Sequence, residues 1–305
     1  MHLELTDLTE QISLTPYQSI GIPIALVGAV FLSLGAQFQH RGVTRVEASY
    51  GSGAKAGLSP RQLLHLLARP SWIAGTLLLG VAVLLQLTSL GFAPLIVVQP
   101  LGVVALVITA IMNARVSHIR LDRRAVRAIA MCVSGVAIFV AIAAVYAIEQ
   151  EITEGQLLIV LGILGVVTVA FGLTFAAARR HVSAMFYIIG AGVLFGFVAT
   201  LAKVVINRIL NNNFDALTVV AVVALLASAA LGGYFVQTAY SVGSPDLVIA
   251  GLTVIDPLVA VLIGVIVLGE ASLIPPAFAI VAAVAGSVAI FGVLQLAKHH
   301  PQTHR

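Results

Sequence analysis

Nine runs of apolar residues, each about 20 residues long, dominate this sequence. A helix of about 20 apolar residues is long enough to cross the hydrocarbon core of a bilayer, which is roughly 30 Å thick. The runs therefore predict an all-α integral membrane protein with about nine transmembrane helices. Numbered one to nine, they begin near Ser19, Ser71, Pro94, Ala125, Gly155, Ala184, Ala216, Asp246 and Pro275.

The composition excludes a water-soluble globule. Of the 305 residues, 60% are hydrophobic and only 9% are charged, and the mean hydropathy is +1.09. So little polar surface cannot cover a soluble domain, and the nine runs use most of the chain. We therefore expect one transmembrane domain over residues 1–305, with membrane lipid as a partner. The single cysteine, Cys132, lies inside an apolar run, so no disulfide within the chain is expected.

The net charge of +4 does not indicate nucleic-acid binding, because the basic residues are concentrated in alternate connections between the runs. The positive-inside rule places such connections in the cytoplasm. We predict a multi-pass protein of the plasma (inner) membrane, with its N-terminus outside and its C-terminus cytoplasmic. The basic residues that follow runs one, three and five are Arg41, Arg45, Lys55, Arg61, Arg69, Arg115, Arg120, Arg123, Arg124, Arg127, Arg179 and Arg180.

Residues 41–70 form the longest connection between two runs. Ser59 followed by Pro60 is typical of the start of a helix, and the leucines that follow share one side of it. A short amphipathic helix of this kind lies in the membrane interface. The sequence thus predicts a cytoplasmic loop over residues 41–70 that contains an interfacial helix.

A short sequence in the third run is repeated in the eighth. Val98-Gln99-Pro100-Leu101 corresponds to Ile255-Asp256-Pro257-Leu258, and the two runs cross the membrane in opposite directions. Aligning the chain on this pair matches runs one to four with runs six to nine and leaves run five unpaired. We predict an inverted repeat of four plus five helices, with repeats at 18–148 and 155–296. Secondary transporters often have this architecture, with the substrate site near the bilayer midplane.

Several short motifs follow one another along the runs in a characteristic order. They are Phe92-Ala93-Pro94, Gln99-Pro100-Leu101-Gly102, Arg180-His181 and Lys203, together with Phe31, Gln39-His40-Arg41-Gly42 and Leu268-Gly269-Glu270. In this order the chain resembles the NIPA-like branch of the drug/metabolite transporter (DMT, EamA-like) superfamily. The resemblance implies a nine-helix carrier whose cargo is Mg²⁺ or another divalent cation, or an organic metabolite or drug. Two positions depart from the family: Asp256 replaces a usual threonine, and Ala114 a frequent acidic residue.

Asp256 is the most informative single residue. It lies about ten residues into the eighth run, near the bilayer centre, where a charge costs roughly several kcal/mol unless it is compensated. The helix-breaking residues Pro257 and Pro100 each leave a backbone carbonyl without its amide partner, and Pro257 does so for Thr253. We predict a substrate or coupling-ion site formed by Gln99, Thr253 and Asp256. A protonated, structural Asp256 is the alternative, and proton coupling or divalent-metal binding through its carboxyl group is a further hypothesis.

Lys203 ends a stripe of small residues in the sixth run. Gly192, Gly196 and Ala199 share one face, and this spacing predicts a close crossing with another helix. The lysine itself has two interpretations. It either extends to the headgroups at the outer surface or faces the transport cavity, where its charge would favour an anionic or zwitterionic solute.

Four other polar residues also have two interpretations each. Gln86 and Gln237 lie within runs two and seven, where an amide either bonds to a neighbouring helix or lines the cavity. Asp246 follows Ser244 and is interpreted as a first-turn residue of a helix, with a role at the cytoplasmic mouth as the alternative. We interpret Glu270 as an interfacial residue at the end of run eight rather than a ligand.

The leading hypothesis is a secondary transporter that exposes a midplane site to each side in turn. No Walker-type sequence indicates ATP hydrolysis, and no cofactor is expected. A lipid-processing enzyme would need clustered catalytic groups, whereas the histidines are dispersed and His300 and His304 are more typical of a frayed tail than of a metal site. That enzyme class and a non-transporting scaffold remain the alternatives, and the sequence leaves a homodimer, the coupling ion and the direction of transport open.

Overall fold

A computed structural model describes residues 16–50, 69–116, 123–148, 151–178, 183–242 and 245–298. Every regular element in these ranges is an α-helix. In chain order they are α1 (Pro16–Tyr50), α2 (Pro70–Phe92), α3 (Leu95–Leu101), α4 (Val103–Val116), α5 (Arg123–Tyr146), α6 (Glu154–Ala178), α7 (Ala184–Leu210), α8 (Ala216–Val242), α9 (Pro245–Ile266) and α10 (Pro276–Lys298).

The predicted all-α membrane fold is confirmed. Within the described ranges, nine stretches are long and apolar enough to cross a bilayer. Helices α3 and α4 together make the third crossing, Leu95–Met112, with an interruption at Gly102. Helices suit the hydrocarbon core because each one satisfies its backbone hydrogen bonds internally.

Helix α1 is longer than the first apolar run. It continues to Tyr50, so residues 41–50 of the segment that we predicted as a loop are helical. Helix α2 begins at Pro70, where proline is favoured because the first amide of a helix has no intrahelical partner. The interfacial helix predicted after Ser59 falls in residues 51–68, which lie outside the described residues.

Glycines allow α1 and α2 to pack closely along each other. A Cβ atom added at Gly75 would lie 2.8 Å from the carbonyl oxygen of Gly35, and one added at Gly35 would lie 3.0 Å from that of Gly75. Only a residue without a side chain permits backbones to approach this closely. The two helices therefore form one tightly packed pair.

The glycine stripe of α7 makes the close helix crossing predicted from the sequence. A Cβ atom at Gly192 would lie 2.7 Å from Cβ of Ile255, and one at Gly196 would lie 2.7 Å from Cβ of Val259. Both partners belong to α9, and α7 also packs along α8. Helix α7 is thus the central helix of the second half of the chain.

The fourth and ninth crossings, α5 and α10, also meet at glycines. A Cβ atom at Gly135 would lie 2.6 Å from the carbonyl oxygen of Ala285, and one at Gly292 would lie 2.6 Å from the backbone nitrogen of Cys132. Helix α5 closes the first half of the chain and α10 closes the second. Their contact joins the two halves.

Several described connections meet at the end of the bundle where α2 ends and α3 begins, which we name the α2–α3 end. The amide of Ile148 donates to the carbonyl of Glu270 over 3.0 Å. The side chain of Gln156, in the first turn of α6, donates to the carbonyl of Val267 over 3.1 Å. Reciprocal hydrogen bonds between Thr153 and Gln156 form a capping box that starts α6.

Candidate functional site

The two prolines predicted to break helices line one cavity, although α9 continues through Pro257 and α3 through Pro100. Pro100 in α3 and Pro257 in α9 contribute to a cavity of about 90 Å³, whose other walls come from α4, α5 and α10. Thr253 is the one lining residue with a polar side chain, and its hydroxyl group donates to the carbonyl of Ile249 over 2.7 Å. The cavity therefore presents an almost wholly apolar surface at the level where the two proline motifs meet.

Asp256 is partly buried, and one oxygen of its carboxyl group, Oδ1, lies inside the protein without a hydrogen-bond partner among the described residues. The residue lies where α9 crosses the glycine stripe of α7, because a Cβ atom at Gly196 would lie 3.0 Å from its carbonyl oxygen. A buried polar atom without a partner is costly and often marks a functional position.

The three residues of the predicted polar site occupy different positions. Thr253 lines the cavity, whereas Gln99 is 8% exposed and buried on α3, just before the lining residue Pro100. Asp256 similarly precedes the lining residue Pro257 and lies against α7. The structure brings the prolines together at one cavity, but neither Gln99 nor Asp256 is among its lining residues.

The structure shows Lys203 in neither of the two predicted locations, and its role at a substrate site stays a prediction. Its side chain is 3% exposed, so it does not extend to the headgroups, and the residue does not line the cavity between the prolines. Its Nζ atom donates to the carbonyl oxygens of Leu90, at 3.0 Å, and Ala93, at 2.9 Å. Lys203 therefore binds the carboxyl end of α2.

Glu270 follows α9, at the end of run eight as predicted, but its side chain is buried in the protein with 3% exposure. Its Oε1 atom accepts a hydrogen bond from the amide of Leu95 over 2.9 Å, and Oε2 accepts one from Ile96 over 2.8 Å. These amides begin α3, where the first turn of a helix leaves N–H groups without intrahelical partners. The carboxylate of Glu270 is the hydrogen-bond acceptor for two of these N–H groups.

Neither Gln86 nor Gln237 is among the residues that line the cavity. Gln86 is half-buried on α2, and Gln237 is exposed on α8. Asp246 is in the first turn of α9, as predicted, but its side chain lies outside what the structure describes, as do His300 and His304. In the ranges that are described, no group of three or more His, Cys, Asp or Glu residues is placed to hold a metal ion.

Sequence reasoning missed the joint role of Lys203 and Glu270. One signal was available, because Pro94 has no amide hydrogen and must leave the carbonyl of Leu90 without its helical partner. That signal predicts a donor near Leu90. It does not predict which distant side chain provides it.

The family described as "Magnesium transporter NIPA" matches residues 17–229, from α1 into α8. An uncharacterized protein of Corynebacterium glutamicum, Cgl0250/cg0304, is 25% identical over 252 residues, which are 82% of this chain and 85% of that protein. No solved structure matches. With the nine apolar helices of its described ranges, the chain falls in the class of multi-pass membrane transporters. It belongs to the NIPA family, within the DMT superfamily, as its motifs predicted.

Proposed function

We propose that this protein is a secondary transporter that carries a cation across the membrane by alternating access, with Asp256 as the cation-binding carboxylate. One observation carries the proposal: the buried Oδ1 atom of Asp256 has no hydrogen-bond partner among the described residues. A positive charge that binds there would compensate an atom that the protein itself leaves unsatisfied. Pro257, the next residue, lies inside the continuous helix α9 and has no amide hydrogen to donate to the carbonyl of Thr253.

The packing of the helices supports a transporter built from two inverted repeats, residues 18–148 and 155–296. Helix α1 packs along α2 in the first half, and α7 packs along α8 in the second, as equivalent pairs of an inverted repeat would. The equivalent prolines, Pro100 and Pro257, line one cavity between the halves. Rocking one half against the other would expose that level of the bundle to each side in turn.

Magnesium is the first candidate cargo. The description of the family names Mg²⁺, although the matched residues, 17–229, end before Asp256. Protein sites often bind Mg²⁺ through one or two carboxylates and leave several water ligands in place. A single buried carboxylate is consistent with a largely hydrated ion that binds transiently.

An organic cation is the second candidate, and the cavity between the prolines favours it. That cavity is lined by side chains such as Phe139, Leu258 and Ile290, which have no polar atoms. An apolar body could pack there while a positive group reached Asp256 in the neighbouring crossing of α7 and α9. Small-molecule sites commonly combine an apolar surface with a few polar groups in this way.

The remaining elements of the proposal concern the membrane and coupling. The distribution of basic residues supports insertion in the plasma (inner) membrane with the N-terminus outside. A proton that competes with the cation for Asp256 would couple transport to a pH gradient. A homodimer in the membrane is also compatible with the extensive apolar surface of α6, where Val166 and Leu173 are exposed.

Reconstitution in liposomes tests the function. We expect saturable uptake of Mg²⁺, or of one member of a panel of organic cations, that Asp256→Asn reduces by about 10- to 100-fold. That range corresponds to the roughly 1.5–3 kcal/mol of an interaction with a charged group. The measurement is cargo-dependent fluorescence inside the liposomes, at several external pH values.

The matched control is Glu154→Gln, which makes the same carboxylate-to-amide change at an exposed position at the start of α6. It should transport like the wild type. Equal rates in Asp256→Asn and Glu154→Gln at every pH would disprove the role of Asp256. Turnover of liposome lipid without any solute flux would instead support a membrane enzyme.

A further inference from the structure

The break between α2 and α3 leaves two backbone carbonyl groups, those of Leu90 and Ala93, without a helical amide partner. Pro94 has no amide hydrogen, so the carbonyl of Leu90 lacks the donor that a continuous helix would supply. The amides of Val97 and Val98 both bond to the carbonyl of Pro94, each over 3.1 Å, rather than to that of Ala93. Buried backbone carbonyl groups need hydrogen-bond partners. The ammonium group of Lys203 donates to both of these carbonyl oxygens.

On the other side of the break, Glu270 accepts hydrogen bonds from backbone amides, whereas Lys203 donates to backbone carbonyls. Its two carboxylate oxygens accept the amides of Leu95 and Ile96, which begin α3. The carboxyl end of a helix carries partial negative charge and the amino end partial positive charge. The positive side chain thus contacts the end of α2, and the negative side chain contacts the start of α3. Each charge matches the helix end that it binds.

These contacts join the two halves of the chain. Lys203 belongs to α7 and Glu270 follows α9, whereas α2 and α3 lie in the first half. Helix α3 carries Gln99 and the cavity-lining Pro100 within two turns of its start. The orientation of this part of the cavity therefore depends on the two charged contacts.

We propose that Lys203 and Glu270 are positioning residues that form a latch, in which each side chain holds one end of the α2–α3 break. While both contacts persist, the two halves stay together at the α2–α3 end. This end separates only when the backbone groups of α2 and α3 leave both side chains. The inference rests on the alternating access proposed above, because that cycle requires the end to open.

The space around Glu270 is restricted. A Cβ atom at Gly264 would lie 2.7 Å from Oε2 of Glu270 and 3.3 Å from Cβ of Leu95. The carboxylate cannot simply move away, because both oxygens bind backbone amides. Gly264→Ala therefore weakens the latch without altering either charge. Gly172→Ala, in α6, is its matched control, because a Cβ atom there has no neighbour within 4 Å.

Spin-label distances across the α2–α3 end test the latch without any cargo. Labels are attached at Ile20→Cys in α1 and Phe214→Cys after α7, both exposed positions, in a Cys132→Ala background. We expect Lys203→Met, Glu270→Gln and Gly264→Ala to increase a longer-distance population by about 5-fold or more, the lower end of typical coupling between sites. Lys203→Arg, which keeps the positive charge, should retain most of the short-distance population seen in the wild type.

A charge exchange separates the latch from a simple ion pair. In the double variant Lys203→Glu with Glu270→Lys, each charge faces the helix end of its own sign, so we expect the longer distance to dominate. If the exchanged variant gives the wild-type distance, the charges act on each other and the proposal is wrong. Unchanged distances in all three weakened variants would also overturn it.

Two controls separate the possible failures. Thermal unfolding, monitored by the fluorescence of Trp72 in α2, shows whether each variant is folded, and Gly264→Ala remains available if the charge variants are not. Because the distances are measured without cargo, a protein that carries neither Mg²⁺ nor organic cations would still report on the latch. Loss of the proposed function and loss of the latch are therefore distinguishable.

Discussion

At the scale of single residues, Asp215 organises the connection between α7 and α8. Its Oδ1 atom accepts the amide of Thr218 over 2.8 Å and so caps α8, while Oδ2 accepts the guanidinium of Arg208 over 2.5 Å. The Nε atom of Arg208 also donates to the hydroxyl of Thr218 over 2.7 Å. One carboxylate thus both starts a helix and satisfies a buried cation.

These contacts predict a pH dependence of stability. The amide of Thr218 and then the side chain of Arg208 lower the pKa of Asp215 to about 2. A lowered pKa stabilises the folded state above the unfolded value, about 3.9, and the contribution disappears as the pH falls towards 2. We expect Asp215→Asn to lower the melting temperature by a constant amount above about pH 5, and by less from pH 4 to pH 2. A difference that does not change with pH would contradict this.

The sequence predicted some site residues and not others, for physical reasons. The position of Asp256 in the membrane and the close crossing at Gly192 follow from local spacing, which the sequence displays. The buried contacts of Lys203 and Glu270 do not, because their partners are backbone atoms more than 100 positions away. A pattern shows that a backbone group needs a partner, but only the packed chain shows which side chain reaches it.

At the scale of helices, hydropathy predicted the nine crossings because length and apolar composition are sufficient for that. It did not predict the division of the third crossing at Gly102 or the extension of α1 to Tyr50. Both depend on which backbone groups pair with each other. Apolar composition carries no information about that pairing.

The crossing of α7 and α9 is sensitive to substitution at its glycines. We expect Gly196→Ala to destabilise the protein by about 1–3 kcal/mol, because the new methyl group would lie 2.7 Å from Cβ of Val259 and 3.0 Å from a backbone oxygen. Thermal unfolding in detergent measures the effect. Gly162→Ala in α6, with no atom within 4 Å of the added Cβ, should leave the melting temperature unchanged or slightly higher. Equal behaviour of the two variants would refute the close crossing.

At the scale of the whole molecule, the connections that the structure describes follow the second, fourth, sixth and eighth crossings and so belong to one end of the bundle. The α2–α3 end has buried, hydrogen-bonded turns such as that around Glu270, whereas the described residues Arg69, Arg115 and Arg123 lie at helix ends on the other side of the bundle. The inverted repeat predicted from two short motifs remains a proposal. The sequence predicted a polar site between the two proline-containing helices, whereas the cavity that Pro100 and Pro257 line is almost entirely apolar.

Reporter fusions test the orientation. A fluorescent protein that matures only in the cytoplasm should be bright when fused after Lys298 and dark when inserted after Ile148. The distribution of basic residues predicts that the end of the bundle with Lys298 is cytoplasmic and the end with Ile148 is outside. A periplasmic phosphatase reporter should give the reverse result at the same two sites. Bright fluorescence after Ile148 would invert the proposed orientation.

The contact between α5 and α10 has a consequence for how such a protein can move. At Gly135 and again at Gly292, the backbones of the two helices are so close that a single methyl group would not fit. Sliding at this interface would force backbone atoms past each other, whereas rotation about it would not. The contact is therefore suited to be the axis about which the two halves rotate. Their relative displacement should then increase with distance from this contact.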